Sequence, residues 1–141
     1  VPEVERYCLD TSAILAFVGE EEGASTIEAL LCRAAEGEIE VVASAVSLME
    51  LYYITLQEQG EDQGARLVAL AKSWPVRWIY PDEKALLHAG RLKAFHRISF
   101  ADAVVAGAAS LEGAVLVHKD PEFESLAGEL TLSSLPYKRG K

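Results

Sequence analysis

The chain is poor in the side chains that build soft-metal and redox sites. Its 141 residues include two cysteines, three histidines and one methionine. Cys8 and Cys32 form neither a C-x-x-C pair nor a Cys/His spacing suited to zinc, which argues against both zinc and dithiol chemistry. Each falls on an apolar segment, so buried free thiols in a reducing cytoplasm are the expectation, not a disulfide. No apolar run approaches the ~20 residues of a membrane span. No charged-apolar-small leader precedes the first strand, and Val1-Pro2 leads almost directly onto it. Repeats, low-complexity segments and linkers are also missing. With 50% hydrophobic residues the chain is not disordered, and its length suits one domain with a sizeable core. The expected organisation is a single domain over residues 1–135, followed by a short, basic, mobile tail at 136–141.

Positive charge is scarce too, with 13 basic against 22 acidic residues and a net charge of −9. Taken whole, that balance disfavours a nucleic-acid partner, but the charge is unevenly spread. Residues 1–62 carry 14 acids and only Arg6 and Arg33 as bases, whereas residues 63–141 carry 8 acids and 11 bases. Between Glu83 and Asp102 there is no acid, while Lys84, Arg91, Lys93 and Arg97 all occur. A solvated helix face is the ordinary meaning of such a run. Here it ends beside Asp102, so Arg91, Lys93 and Arg97 are candidates for steering a phosphate backbone.

The hydrophobic pattern alternates strand and helix. Strands are expected at Glu5–Leu9, Ile39–Ala43, Val76–Tyr80, Ala114–Val117 and Leu130–Leu132. Helices are expected at Thr11–Val18, Gly23–Ala35, Val46–Gln59, Asp62–Ser73 and Asp82–His96, with another opening at Ser99 and stopped by Gly113. A charged turn follows at His118–Glu122. Strands separated by helices imply βαβ units, hence an α/β fold with a mainly parallel sheet.

Within that frame the acids matter most. Asp10 ends a strand before a helix, Asp102 follows Ser99 as in a capping box, and Asp120 precedes Pro121; singly, each reads as a helix cap. Glu50 differs, because V46-S-L-M-E-L-Y-Y-I54 is apolar nearly all round and offers no Lys or Arg within a turn or two. A carboxylate so placed must be paired, hydrogen-bonded, metal-bound or protonated. Jointly the four gain a simpler explanation. The carboxyl edge of one parallel sheet can gather them, and ligands bind at that edge. Clustered carboxylates call for a cation, and oxygen donors without Cys or His select Mg²⁺ or Mn²⁺. Such an ion lowers the pKa of a bound water, orients it and neutralises charge developing on a phosphodiester.

The segments L9-D-T-S-A-I-L-A-F17, S47-L-M-E-L51, S99-F-A-D-A103 and V117-H-K-D-P-E-F123 resemble the four acidic motifs of PIN domains. They are most similar to the small toxins of bacterial and archaeal VapBC toxin–antitoxin pairs, and the resemblance spans essentially the whole chain. It implies a three-layer α/β/α sandwich and a metal-dependent endoribonuclease leaving a 5′-phosphate and a 3′-hydroxyl. It also implies Asp10, Glu50, Asp102 and Asp120 as catalytic metal ligands, with Ser12, Ser99 and Glu122 in supporting positions. A cognate antitoxin covering the groove and a homodimer are further implications. The chain departs from the family's usual pattern at His118, where Thr or Ser is common, and at Glu122, where Asp is common. His118 reads as a polar strand end in preference to the alternative, a partner standing behind the site acids.

Rival readings fare worse. A receiver-type phosphorylation domain would explain Lys119, but needs a phosphoacceptor Asp after a middle strand, where Ser44 and Pro81 stand. A haloacid-dehalogenase-like phosphatase needs an acid two residues after Asp10, where Ser12 stands. A PIN-like interaction module without catalysis is the alternative from another class, and the presence of all four acids counts against it.

Overall fold

Alternation along the strands decides how the molecule is layered. In β1 (Arg6–Leu9) and β2 (Glu40–Ser44), successive side chains enter opposite cores. Leu9, Val41, Ala43 and Val117 join Ile14, Ile27, Leu51 and Leu67 on one face of the sheet. Cys8, Val42 and Leu116 join Ala89, Leu92, Val105 and Phe123 on the other. Helices cover both faces, which gives three layers. The computed structural model describes residues 4–138.

One face carries α1 (Thr11–Val18), α2 (Ala24–Ala35), α3 (Ala45–Gln59) and α4 (Glu61–Ser73); the other carries α5 (Glu83–Phe95) and α6 (Phe100–Glu112). With β3 (Arg77–Ile79), β4 (Val115–His118) and β5 (Leu132–Ser134), the strands form one sheet of order β3-β2-β1-β4-β5. All neighbours are parallel, with Tyr7 opposite both Val41 and Val115. The sheet is therefore wholly parallel, not merely mainly so.

Several expectations need correction. The last strand lies two residues later than Leu130–Leu132, at Leu132–Ser134. His118 belongs to β4, and Pro121–Leu126 forms a 3-10 helix where a turn is expected. Cys8 is buried, but Cys32 is exposed, because α2 buries Ile27, Leu30 and Leu31 instead. Tyr137 of the tail lies 6.1 Å from the His118 ring, and Lys138 Nζ is 3.7 Å from Glu21, so the tail begins attached. Val1–Pro2 and the end of the tail lie outside the described residues. Among the described residues no helix is long and apolar enough to cross a membrane.

Candidate metal centre

The chain leaves β1 towards β2 on one side and returns as β4 on the other, so the sheet's topological switch point lies between β1 and β4. Both strands deliver acids there. Leu9 hands over to Asp10, and His118 is followed by Lys119 and Asp120. Short bonds fasten the two strand ends together. The Asp10 N–H donates to the Val117 carbonyl at 3.0 Å. Ser12 Oγ accepts from the Lys119 N–H at 2.8 Å and donates to Asp10 Oδ2 at 2.5 Å.

Asp10 does cap α1, its Oδ2 also accepting from the Ser12 N–H at 2.9 Å. Its other oxygen, Oδ1, is buried and has no hydrogen-bond partner among the described residues. A cap leaves that oxygen unexplained. Burial pushes the carboxyl up to about 6, against the Ser12 hydrogen bonds and with help from the Glu50 charge.

Glu50 is half-buried on α3, whose own cap is Ser44 Oγ accepting from the Val46 N–H at 3.2 Å. The expected apolar enclosure is not found: Met49, Tyr52 and Tyr53 are 58%, 40% and 42% exposed. Glu50 is instead held by a neutral donor from α1. Thr11 Oγ1 lies 2.6 Å from Glu50 Oε1 and 2.8 Å from Ser47 Oγ. A hydroxyl has one proton and a carboxylate none, so Thr11 donates to Glu50 and accepts from Ser47.

Asp102 is buried in the first turn of α6, where Ser99 Oγ accepts from its N–H at 3.1 Å. In a capping box the Asp102 carboxylate would return to the Ser99 N–H. The Asp102 carboxylate makes no such bond among the described residues, and the Ser99 N–H acts on Glu122, helping to lower its pKa. Asp102 is thereby released to a different cluster, in which one carboxylate oxygen from each of Asp102, Asp120 and Glu122 lies within 4.8 Å of the others. Burial pushes Asp102 up to about 9, followed by its hydrogen bond to Glu122 and the charges of Asp10, Glu122 and Asp120. Glu122 shifts downwards through that hydrogen bond, the Ser99 N–H and the Lys93 charge. The contact between the two thus favours the neutral form of the more buried acid and the charged form of the more exposed one.

Asp120 is positioned through its own backbone and that of Glu122. Its Oδ1 accepts from the Glu122 N–H at 2.9 Å, and Pro121 opens the 3-10 helix behind it. His118 is more than a polar strand end. It is buried against Phe123, and its Nδ1 accepts from the Asp120 N–H at 3.2 Å. Burial pushes the imidazole pKa down, in keeping with a neutral ring that accepts at Nδ1.

The structure thus brings Asp102, Asp120 and Glu122 into one cluster, with Asp10 near enough to raise Asp102 and Glu50 near enough to raise Asp10. Ser12 and Ser99 touch two of these acids. Lys119 does not neutralise the cluster: its buried ammonium donates to the Glu22 carbonyl at 2.8 Å and to Glu21 at 3.2 Å. Of the predicted basic residues, Lys93 lies within electrostatic reach of Glu122 and donates to the Ile98 carbonyl at 2.9 Å. Arg91 and Arg97 are exposed. An all-oxygen donor set, a protonated buried Asp and an orphaned Asp10 oxygen fit a hard divalent cation. Beside this cluster runs an open groove of about 680 Å³, lined by Leu15, Ile54, Leu67, Arg66 and Asp120 among others.

Glu122 is the residue that sequence reasoning places only in support. Its neighbour Asp102 comes from another element, so no local spacing reveals it.

The family model described as PIN domain matches residues 7–129. No curated protein matches the chain in sequence. Among solved structures, VapBC from Salmonella typhimurium bound to DNA is similar, with TM-score 0.74 and 21% identity over 94% of this chain and 98% of that one. VapBC2 from Rickettsia felis, bound to a fragment of its promoter, gives TM-score 0.73 and 20% identity over 93% and 99%. VapC20 of Mycobacterium tuberculosis, a sarcin–ricin loop cleaving toxin, gives 0.66 and 20% over 88% and 96%.

Proposed function

The chain belongs to the PIN domain family, and on that premise we propose that it is a Mg²⁺- or Mn²⁺-dependent endoribonuclease, the toxin of a toxin–antitoxin pair. The observation that carries the reading is the convergence of Asp102, Asp120 and Glu122 beside the orphaned Asp10 oxygen, at the sheet's switch point. Asp10, Asp102, Asp120 and Glu122 would hold the cation, with Glu50 completing the set from the Asp10 side. When bound, the ion supplies an activated water and neutralises charge developing on the phosphodiester.

The chain's own groups do the positioning. Ser12 fixes Asp10, the Ser47–Thr11 hydroxyl chain fixes Glu50, and His118 fixes the Asp120 backbone. As ligands, Asp102 and Glu122 would both serve in the carboxylate form, so binding of the cation would be favoured as pH rises. Cleavage through the 2′-hydroxyl would need a free histidine pair. His88 instead meets Ser110 at 3.0 Å, His96 meets Glu129 at 3.2 Å, and His118 is buried. In keeping with the family resemblance and with metal-assisted attack by water, the products are a 5′-phosphate and a 3′-hydroxyl, and the substrate is single-stranded or loop RNA, which a compact site reaches best.

The groove beside Asp120 is assigned to a segment of a cognate antitoxin, and the active species to a homodimer in the cytoplasm. Similar solved chains are VapBC complexes. A strictly monomeric chain at micromolar concentration by sedimentation would remove the dimer.

Thermal scans with EDTA and with Mn²⁺ test the centre itself. A ligand at a hundredfold excess over its dissociation constant stabilises the native state by about 2.7 kcal/mol. Wild type should gain melting temperature with Mn²⁺ and cleave short single-stranded RNA. Asp102→Asn and Glu122→Gln should lose most of the gain, and Asp10→Asn should lose cleavage. Equal metal-induced shifts in all of them would sink the reading.

A further inference from the structure

Phe95 and Phe100 are 70% and 71% exposed, among the most exposed large apolar side chains described. They close α5 and open α6, either side of the segment His96–Ser99. That segment is held firmly. Lys93 Nζ donates to the Ile98 carbonyl at 2.9 Å, His96 meets Glu129 at 3.2 Å, and Ser99 Oγ takes the Asp102 N–H at 3.1 Å. Phe100 therefore opens the same first turn of α6 that carries Asp102, with its ring outward and Asp102 inward. The Arg91 guanidinium lies 5.4 Å from the centre of the Phe95 ring, and no acid occurs between Glu83 and Asp102.

Resting on the ribonuclease reading and deepening it, we infer that Phe95 and Phe100, with Arg91 and Arg97, form a stacking platform for unpaired RNA bases flanking the scissile phosphate. Exposed aromatic faces set among cations are what a single strand uses: each base stacks and the backbone charge is met nearby. A single exposed phenylalanine would need no explanation. Two at the ends of a firmly held segment, within the run that carries Arg91, Lys93 and Arg97, do. A second copy of the chain is the competing occupant, since Leu87, Arg91 and Phe95 share one stripe of α5 and Leu87 is 68% exposed. The run itself, with Arg91, Lys93 and Arg97 and no acid, favours the polyanion, Glu129 being an acid that the structure brings to it, against His96.

The test is steady-state cleavage of a short unpaired RNA with Mn²⁺, using Phe95→Leu and Phe100→Leu singly and together. Leucine keeps the apolar bulk and removes the π-face. The double variant should raise KM roughly tenfold or more with little change in kcat, while Phe→Tyr at either position should restore wild-type KM. Affinity for fully paired RNA should not move. Reversing Arg91 and Arg97 to Glu should flatten the salt dependence of binding, because fewer counterions are released. A wild-type KM in the double leucine variant overturns the platform and leaves the nuclease reading standing. A change from dimer to monomer by sedimentation in that variant assigns the rings to a contact between copies and also overturns it. Failure of wild type to cleave any RNA with Mn²⁺ removes the nuclease reading, and the platform falls with it.

Discussion

Asp102 and Asp10 are acids whose surroundings favour the neutral form, which gives the metal-free fold a characteristic dependence on pH. The Asp102 carboxyl, at about 9, and the Asp10 carboxyl, at about 6, both lie above the ordinary aspartate range. In each case burial is the first cause. The folded chain therefore holds these protons more tightly than the unfolded chain. Stabilisation from this source is complete below the unfolded pKa of about 3.9 and is lost as pH rises through the folded values. His118 acts with the opposite sign: burial lowers its pKa, so its contribution is lost as pH falls below about 6.5. Above about pH 7 the Asp102 proton is the one of these three still to leave. In EDTA, stability by urea unfolding should fall between about pH 7 and pH 9, and Asp102→Asn should flatten the fall. Saturating Mn²⁺ should abolish it, because the cation takes the proton's place and binds better as pH rises. An unaltered slope in Asp102→Asn would mean that the proton lies elsewhere.

At the scale of elements, α5 and α6 pack so closely that one glycine decides their separation. A methyl group on Gly107 would meet the Ala89 Cβ at 3.1 Å and its Cα and N at 3.2 Å, and a backbone cannot step aside. On α4, a methyl group on Gly64 would meet the Tyr52 ring at 3.2 Å, but that side chain is 40% exposed and free to swing. Alanine gains about 0.5–1 kcal/mol over glycine within a helix, while overpacking costs about 1–3 kcal/mol. Gly64→Ala should raise the melting temperature and Gly107→Ala lower it. Equal signs in thermal scans would refute the argument.

The unit α6–β4 was also the most legible stretch of the sequence, for physical reasons. Ser99 caps the helix, Gly113 ends it at φ +63°, and the apolar residues after it can only be a buried strand. Signals failed where the deciding contact was not local. β5 is an edge strand ending in Ser133 and Ser134, which give no hydrophobic pattern. Cys32 sits among apolar neighbours, yet α2 turns it outward. Periodicity could not place the Glu122 carboxylate either, because it joins Asp102, which α6 supplies from elsewhere in the chain. Asp10 and Asp120 carried cap signatures that the structure also fulfils, and at Asp102 only the Ser99 half of the capping box forms, so at each the local reading concealed the joint role.

Across the whole molecule, the two edges of the sheet have opposite electrostatic character. At the carboxyl edge, negative groups crowd together, and among the described residues Asp10, Asp102, Asp120 and Glu122 form no salt bridge. The amino edge is the reverse. There Arg6 meets Glu40 at 2.7 Å, and Arg77 meets Glu40 at 3.0 Å and Glu112 at 2.6 Å, while Arg6 also donates to the Glu112 carbonyl at 3.2 Å. These residues begin β1, β2 and β3 and end α6, so the network ties four elements at the end farthest along the strands from Asp10 and Asp120. The Arg77 guanidinium, ahead of that of Arg6, holds Glu40 below its usual pKa, and the pairs are partly exposed. Exposed ion pairs contribute roughly 0.2–1 kcal/mol each and weaken as salt rises. Arg77→Gln leaves Glu112 without its cation and Glu40 with one in place of two. It should lower the melting temperature by an amount that shrinks in concentrated NaCl. Because the strands between transmit no charge to the far edge, the Mn²⁺-induced shift and RNA cleavage should match wild type. If Arg77→Gln instead reduces the Mn²⁺ shift, the two edges are coupled through the sheet, and stability and metal affinity cannot be tuned separately in this fold.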